Sequence, residues 1–265
     1  MTETYFSELW KQPIADIKTI QLQNIMDRIE LGGSSKRMMK SKLTAAFKIA
    51  YTNDIIEKNY ASMLTVPSDQ GSDIHKPFSS EELQLLWQSS HDTDVQLFLI
   101  YIYTGVRPGE LLTINTSNID LKAKTMIGGS KTRAGKNRII PIANCILPFI
   151  KSLYSTNAFT HDKLLLAGMT KSQLSTKMKQ VCKKYRLSPH LPHDTRHTFI
   201  TLSSNYGMSE KILKMIVGHS RGRDTTQAVY MHKDDEQLIQ AVNLLPYGIN
   251  MTLYPDEKSG AVVEQ

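Results

Sequence analysis

Six polar side chains that could do chemistry lie between positions 104 and 232, each inside a short motif. The motifs are, in order, TGVRPGELL at 104–112, SKT at 130–132, HDTRH at 193–197, VGHS at 217–220 and TTQAVYMH at 225–232. Two guanidinium groups can bind the oxygens of an anionic phosphate in bidentate fashion and stay charged at any working pH. Histidine and lysine can transfer protons, and a tyrosine hydroxyl can act as a nucleophile. Taken singly, each of these residue types is more often structural. Their order along the chain is therefore the stronger indication of function.

The ordered series resembles the tyrosine recombinase superfamily, which includes the phage-type and conjugative-transposon integrases. The family pattern is arginine, lysine, His-x-x-Arg, Gly-His and tyrosine, and all six positions are matched. The resemblance implies an enzyme of DNA recombination and integration, encoded by a phage or another mobile genetic element. Such an enzyme cleaves and rejoins DNA through a covalent 3′-phosphotyrosine without metal, cofactor or ATP. The matching catalytic residues are Arg107, Lys131, His193, Arg196, His219 and Tyr230.

The chemistry of phosphodiester cleavage explains these residue types. Displacement at phosphorus gathers negative charge on the non-bridging oxygens, which Arg107 and Arg196 can stabilise electrostatically without a metal. His193 can accept the proton of Tyr230, which attacks the phosphorus and keeps the bond energy for rejoining. Lys131 is expected to protonate the 5′-oxygen leaving group, as the resemblance also implies.

Further polar residues in the motifs are expected to support the site. Glu110 and Asp194 are predicted to orient the neighbouring arginines rather than to react, and Asp194 can also hold the first turn of its helix. His219, just beyond a helix end, can hydrogen-bond the same phosphate. His197 and His232 are expected to serve the structure or to contact the DNA backbone. The Gly-His motif and the tyrosine stand eleven positions apart. This is longer than in typical family members and indicates a longer loop.

The position of Arg107 follows from the helix signals around it. Asp92 can cap a helix whose residues 97–102 are apolar on all sides, so that helix should lie in a core. Gly105 should end this helix, and Pro108 suits the first turn of another. Arg107 is therefore predicted on a short junction between two helices.

The other motifs fall on helices and on one hairpin. An S-x-x-E capping box at Ser79 and Glu82 opens a helix, and Gly218 ends a later one. Residues 118–142 contain short β-like runs with bends at Gly128-Gly129 and Ala134-Gly135, which predicts a small antiparallel sheet with a basic hairpin. The predicted fold class is mainly α with a small antiparallel β-sheet, in which a helical core-binding module precedes an α+β tyrosine recombinase catalytic domain.

The N-terminal segment predicts two helices. Isoleucines and a methionine recur at helical spacing from Ile14 to Ile29, and a second amphipathic helix should run from Ser34 to Thr52. A polar, turn-rich stretch follows. We therefore predict a helical core-type DNA-binding domain, a linker, the catalytic domain and a C-terminal tail at residues 1–66, 67–76, 77–245 and 246–265.

The net charge of +7 and a pI of about 9.2 suggest a polyanionic partner. A merely basic protein is the alternative, but the basic residues are clustered: residues 120–140 hold six of them and one acid. Residues 171–188 hold six and no acid. We expect duplex DNA to be contacted by Lys36, Arg37, Lys40, Arg133, Lys136, Arg138, Lys183, Lys184, Arg221 and Arg223.

Composition also bears on location. The two cysteines, Cys145 and Cys182, form no CxxC pair, which fits a reducing compartment. No segment is long and apolar enough to cross a membrane, and the N-terminus lacks the order of a signal peptide. The expected location is cytoplasmic, in a bacterial or archaeal cell and associated with the nucleoid.

The resemblance also implies how the protein works with its partners. The two domains are expected to clasp a specific duplex recombination site, with a dimer to tetramer of the chain on two duplexes. An accessory DNA-bending protein can be needed. The acidic tail is predicted to contact a neighbouring protomer, because Ile249, Met251 and Leu253 alternate like a short strand. A disordered tail and a tail docked on its own protomer are the alternatives.

Other function classes fit parts of the sequence. The HDTRH motif resembles the HExxH of zinc hydrolases, but Arg196 would then sit beside a dication. A DNA-binding protein without catalysis would not need the arginines, lysine and tyrosine in register. A type IB topoisomerase-like relaxing enzyme shares the chemistry, although the small helical N-terminal region favours a recombinase.

Overall fold

In the computed structural model, the chain falls into two units, Met1–Ile74 and His75–Gln265, each with its own hydrophobic core. The boundary between them falls inside the predicted linker. The structure describes residues 2–67, 75–129, 137–160, 163–218 and 231–254. The predicted linker and the predicted tail thus lie partly outside the described residues.

The first unit is helical. Its α-helices are α1 (Thr2–Tyr5), α2 (Thr19–Arg28) and α3 (Gly33–Thr52), joined by 3-10 turns at Ser7–Leu9, Ile14–Asp16 and Tyr60–Met63. Side chains from α2 and α3, among them Leu22, Met26, Met39 and Phe47, are buried together in the core of this unit. The apolar faces that the sequence predicted for both helices are therefore the faces that pack in the core.

The helix predicted from Ile14 onward begins later than expected. Ile17 is extended, with φ −81° and ψ 117°, and α2 starts at Thr19. The side chain of Gln21 accepts the backbone N–H of Lys18 at 2.8 Å, which fixes the helix start at that point. Ile17 is buried all the same, at 7% exposure, so an apolar residue outside the helix mimicked the helical repeat.

The second unit is mainly α-helical with one small sheet, as the sequence predicted. Its elements are α4 (Ser80–Gln88), α5 (Thr93–Thr104), α6 (Pro108–Leu111), β1 (Ile119–Asp120), β2 (Thr125–Gly128), β3 (Arg138–Pro141), α7 (Leu147–Thr160), α8 (Lys171–Lys184), α9 (Asp194–Asn205), α10 (Glu210–Val217) and α11 (Met231–Asn243).

The predicted helix signals are confirmed. Ser79 and Glu82 form the reciprocal capping box of α4, and Asp92 accepts the N–H of Asp94 at 2.8 Å at the start of α5. All residues of α5 from Leu97 to Thr104 are buried, which makes this helix the centre of the core. Gly105 ends α5 in the left-handed conformation, with φ 60°.

The sheet is antiparallel, in the order β1-β2-β3. Met126 pairs with Ile140, and Gly128 pairs with Arg138 at the end of the β2–β3 ladder. Met126 and Ile140 are fully buried, so the inner face of the sheet closes over the core. The connection at 130–136 lies outside the described residues.

As far as Tyr254, the C-terminal segment docks on its own chain, which was one of the alternatives, and the contact with a neighbouring protomer stays a prediction. Met251 and Leu253 are buried in the core of their own unit. The carbonyl of Met251 accepts a hydrogen bond from Gln84 at 2.7 Å, and Ser80 accepts the N–H of Leu253 at 2.8 Å. The alternation of apolar residues was interpreted as a strand that pairs with a neighbouring protomer. In this structure, Met251 and Leu253 of that alternation dock on α4 of the same chain. Residues 255–265 lie outside the described residues.

No helix within the described residues is long and apolar enough to span a membrane.

Gly105 is expected to be irreplaceable even by alanine. A Cβ at this position would lie 2.3 Å from Phe199 Cδ1, in addition to the positive φ of 60°. The left-handed conformation costs other residues roughly 1–2 kcal/mol, and overpacking typically costs roughly 1–3 kcal/mol. We expect Gly105→Ala to lower the free energy of unfolding by about 2–5 kcal/mol, measured by urea denaturation.

Gly207 provides the matched control. It also has a positive φ, 73°, but its Cβ would meet nothing within 4 Å. Gly207→Ala should therefore lose only about 1–2 kcal/mol. Equal losses in the two variants would show that the contact with Phe199 does not require the glycine.

Candidate active site

Arg107 lies on the junction between α5 and α6, as predicted. Gly105 turns the chain out of α5, and Pro108 opens α6 with Arg107 as its N-cap residue. The backbone N–H of Arg107 donates to Glu110 Oε2 at 2.9 Å, and its Nη1 donates to Glu110 Oε1 at 2.9 Å. Main chain and side chain of Arg107 are thus both held by one carboxylate, which orients the guanidinium.

Glu110 binds a second arginine, Arg138, from the start of β3. Arg138 Nη2 donates to Glu110 Oε2 at 2.7 Å, and Nη1 donates to Oε1 at 3.2 Å. Burial alone would raise the pKa of Glu110, but the hydrogen bonds and charges of Arg138 and Arg107 outweigh it and hold the pKa below its usual range. Glu110 is therefore ionised at neutral pH and stabilises the fold there. This stability is lost only as the pH falls through the depressed pKa.

Arg196 projects from the first turn of α9 into the core, where its side chain is almost fully buried. Its Nη1 donates to the carbonyl of Gly105 at 2.8 Å, and its Nη2 donates to the carbonyl of Val217 at 2.6 Å. Burial and the nearby charge of Arg107 lower the pKa of Arg196 to about 10. The guanidinium of Arg196 therefore stays charged at neutral pH. The carbonyl of Gly105 that it binds belongs to the α5–α6 junction, two residues before Arg107.

Asp194 organises the loop before α9 rather than an arginine. It accepts the N–H of Leu191 at 2.8 Å and lies 2.9 Å from His75 Nδ1 and 3.3 Å from His190 Nδ1. His190 Nε2 in turn lies 3.1 Å from Glu82, the capping residue of α4. The prediction that Asp194 orients a neighbouring arginine is thus corrected, because its carboxylate is occupied by the loop and by histidines. Its predicted hold on the first turn of α9 stays a prediction.

Three histidine rings meet at the start of α9. The ring centroid of His193 lies 5.2 Å from that of His197 and 5.4 Å from that of His75, and His75 and His197 stack at 5.3 Å. Burial lowers the pKa of His193, and the charges of His197, His75 and Arg196 lower it further, against the opposing effect of Asp194. The pKa of His197 is lowered as well, first by burial. Neutral rings, able to accept a proton, are favoured here.

The structure thus brings Arg107, His193 and Arg196 together, with Glu110 beside them. His193 directly precedes α9, which carries Arg196, and Arg196 donates to the carbonyl of Gly105, two residues before Arg107. The other predicted catalytic residues, Lys131, His219 and Tyr230, lie outside the described residues, as do four predicted DNA-contacting residues, Arg133, Lys136, Arg221 and Arg223. Described elements flank these positions: β2 and β3 on either side of Lys131, and α10 and α11 on either side of the segment with His219 and Tyr230.

The DNA contact predicted for Arg138 is not supported by its position in the structure. Arg138 was expected on the surface of the hairpin, but it is buried at 7% exposure and bonded to Glu110 and to the carbonyl of Ile216. Its Nε, Nη1 and Nη2 all donate within the protein, so the fold fixes its position. Sequence alone could not show this, because basic residues alternate along the whole hairpin.

The other described candidates for DNA contact differ among themselves. The ammonium of Lys40 donates to the carbonyl of Leu64, and that of Lys184 pairs with Asp92 at 2.7 Å, so both are partly engaged within the protein. Arg37 and Lys183 are exposed and Lys36 is half-buried. For all five residues the DNA contact remains a prediction.

Sequence analysis missed His75 and His190. His75 follows the predicted linker directly, where a histidine gives no signal, and His190 lies four residues before Asp194 in an irregular loop. Only the fold brings His75 next to Asp194, which lies 119 positions further along the chain. Across the described residues, no group of three or more His, Cys, Asp or Glu side chains has a metal-ligating arrangement, so nothing there favours the zinc hydrolase alternative.

Comparison with known proteins decides the family. The model of the phage integrase family matches residues 76–237, more than half of the chain. The chain belongs to the phage integrase family. Relatives of this family member include a XerC-like tyrosine recombinase of Caldanaerobacter subterraneus subsp. tengcongensis, 24% identical over 90% of this chain and 73% of the relative. A XerD tyrosine recombinase of Vibrio vulnificus is 25% identical over 78% of this chain and 72% of the relative.

Solved structures of integrases share the fold. The Tn1549 transposon integrase in complex with circular intermediate DNA superposes with a TM-score of 0.68 at 22% identity, covering 83% of this chain and 86% of that one. A lambda integrase dimer bound to a COC′ core site gives a TM-score of 0.64 at 15% identity, covering 88% and 86%. This integrase-family chain is accordingly a tyrosine-type site-specific recombinase, as its motifs predicted.

The histidine cluster predicts a measurable titration. The His193 ring should titrate below the usual histidine pKa of about 6.5, because burial and cationic neighbours disfavour its charged form. His75→Gln removes one of these neighbours, so the pKa of His193 should rise. Histidine ring resonances followed by NMR against pH in the DNA-free protein measure both values.

His91→Gln is the control for this titration, because His91 is exposed before α5 and is not among the groups that act on His193. An unchanged or lower His193 pKa in His75→Gln would contradict the electrostatic coupling within the cluster.

Proposed function

We propose that this recombinase cleaves and rejoins duplex DNA at a specific site through a covalent 3′-phosphotyrosine formed by Tyr230. The observation that carries the proposal is the placement of Arg107 and Arg196. Both guanidinium groups are fixed to the same α5–α6 junction, one through Glu110 and one through the carbonyl of Gly105. Two fixed cations at one point form a binding site for a single anionic group.

The arginine pair suits the charge that develops during the reaction. As the tyrosine oxygen attacks phosphorus, negative charge grows on the two non-bridging oxygens. Preorganised donors in a site with little water stabilise such charge without further rearrangement. Arg196 is buried and close to another arginine, and both effects disfavour its charge until an anion arrives. Binding of the phosphodiester relieves this cost, and the growing charge of the transition state relieves it further.

The proton transfers are assigned to the other motif residues. His193 accepts the proton of the Tyr230 hydroxyl as the Tyr230 oxygen–phosphorus bond forms. The bond from phosphorus to the 5′-oxygen breaks, and Lys131 gives that oxygen a proton. His219 donates a hydrogen bond to the phosphate. Rejoining is the same sequence in reverse, with a 5′-hydroxyl attacking the phosphotyrosine, so no external energy source is required.

Duplex DNA is the proposed substrate, because the structural neighbours described above are integrases bound to DNA. The net charge of +7 agrees with a polyanionic partner. The helical first unit is proposed to bind DNA on either side of the cleavage point, with Lys36 and Arg37 on α3 among its contacts. Two to four copies are proposed to act together, and the lambda integrase neighbour is a dimer on its site.

Covalent trapping tests the proposal. Duplex fragments from the regions flanking the gene are incubated with the protein, denatured and examined for protein-linked DNA. The wild-type chain should form an adduct, and its DNA should identify the site. Tyr230→Phe should bind the captured fragment equally well and form no adduct, because only the nucleophilic hydroxyl is missing. An adduct formed by Tyr230→Phe at the wild-type rate would refute Tyr230 as the nucleophile.

The arginine pair predicts that charge alone is insufficient. Arg196 uses a planar fork to donate to two separate carbonyls, and a lysine at this position reaches only one. We expect Arg107→Lys and Arg196→Lys each to slow adduct formation by about 10²–10³-fold, the usual loss for one oxyanion donor. The rate is measured in a single turnover on the fragment captured by the wild type.

Lys214→Arg is the control for these exchanges. Lys214 forms an exposed ion pair with Glu210 on α10, so the change should leave the rate unaltered. Wild-type rates in both arginine-to-lysine variants would mean that the site needs only positive charge at these positions.

A further inference from the structure

Arg138 is the buried arginine for which the reaction has no assigned use. Its side chain is only 6% exposed. Its Nη2 and Nη1 donate to the two oxygens of Glu110, and its Nε donates to the carbonyl of Ile216 at 2.7 Å. One side chain thus joins the start of β3 to α6 and to the end of α10.

These contacts close a ring around the two substrate-binding arginines. Arg107 is bound to Glu110, and Glu110 to Arg138. Arg138 is bound to the carbonyl of Ile216, whose neighbour Val217 accepts from Arg196. Arg196 is bound to the carbonyl of Gly105, two residues before Arg107. Four segments of the chain are locked together in this ring, and Arg138 is the link between its Glu110 side and its α10 side.

The end of α10 explains why both Arg138 and Arg196 point there. The last carbonyls of a helix have no partner within the helix, and they carry the negative end of its dipole. Arg138 and Arg196 donate to two of them, at Ile216 and Val217, directly before Gly218 ends the helix. The next motif residue along the chain is His219. Arg138 therefore binds the end of α10, directly before the segment that begins with His219, the proposed phosphate-binding histidine.

We propose that Arg138 is a positioning residue of the recombination reaction, which holds Glu110 and the end of α10 so that Arg107 and Arg196 converge on one phosphate. The inference rests on the proposed function, because it assigns those two arginines to the phosphate. Arg138 itself touches neither DNA nor the reacting atoms. It acts on the rate of the chemical step, and DNA affinity is left to the exposed basic residues.

The experiment uses Arg138→Gln and Arg138→Lys in the full chain, with a nicked duplex made from the fragment that wild type captures. Arg138→Gln should slow the single-turnover rate at saturating DNA by about 10²-fold, the usual effect of a displacement of about 1 Å in a catalytic group. Arg138→Lys keeps the charge but cannot bond both Glu110 and the carbonyl of Ile216 as arginine does. Its rate should therefore fall between those of the wild type and Arg138→Gln. The dissociation constant of the DNA should stay within about threefold of wild type, because no phosphate contact is lost.

Salt dependence separates positioning from a phosphate contact. Each phosphate contact contributes about 0.9 to the slope of log affinity against log salt. The slope should be unchanged in Arg138→Gln. A slope reduced by about one, with a wild-type rate at saturation, would restore the contact with DNA that the sequence suggested and overturn the inference. Lys214→Gln, which removes an exposed ion pair on the same α10, is the control and should change neither quantity.

A double-mutant cycle with Glu110→Gln tests the path of the effect. If Arg138 acts through Glu110, the double variant should be no more than about threefold slower than Glu110→Gln alone, whereas independent roles would multiply the losses. Unfolding in urea, followed in the same variants, shows whether they are folded at the assay temperature. A rate loss in Arg138→Gln that matches its unfolded fraction, with Arg138→Lys at the wild-type rate, would reduce Arg138 to a stability role.

The same assays distinguish a failure of the proposed function from a failure of the inference on Arg138. No adduct with the wild-type chain would contradict the proposed function and remove the basis of the inference with it. A wild-type adduct combined with an unimpaired Arg138→Gln would leave the proposed function intact and contradict the inference alone.

Discussion

The burial of several guanidinium groups around one carboxylate is the constraint on which this structure depends. Arg138 and Arg196 are almost wholly buried, Arg107 is mostly so, and the carboxylate of Glu110 pairs with both Arg107 and Arg138. A buried charge without partners is costly. The chain satisfies the remaining donors with main-chain carbonyls at Gly105, Ile216 and Val217. These carbonyls accept hydrogen bonds but carry no full charge, so they do not neutralise the guanidinium groups that they bind.

This constraint accounts for the arrangement of the second unit. Carbonyls able to accept from arginine occur where a helix ends, and the centre is built from the end of α5, the start of α6, the first turn of α9 and the end of α10. The fully buried α5 supplies the rigid base, and Phe199 on α9 packs directly over Gly105. The need for glycine at that point is therefore a consequence of bringing α9, with Arg196, close enough to bond the junction that carries Arg107.

Local signals explain which parts were predictable from sequence. The capping box at Ser79, the cap at Asp92 and the glycine at 105 depend on neighbours within a few positions, and each was confirmed. The motif order identified the family, which the comparisons then established. The unexpected burial of Arg138 has the opposite origin. Its partners lie 28 and 78 positions away, and a basic residue at the edge of a hairpin looks the same whether it turns inward or outward.

The tail shows the same limit and bears on the proposed nucleophile. Its apolar alternation correctly indicated docking, but the choice between its own chain and a neighbour depended on acceptors and donors on α4 and at the end of α9. Asn205, the last residue of α9, donates to the carbonyl of Leu253 at 2.9 Å. Tyr230 directly precedes α11, and α11 is fixed to the core through Leu238 and Val242. The segment after α11 is thus tied to the helix that carries Arg196. The helix that follows Tyr230 in the sequence and the helix that carries Arg196 thus belong to one packed core, so a change in tail docking would act on both helices together.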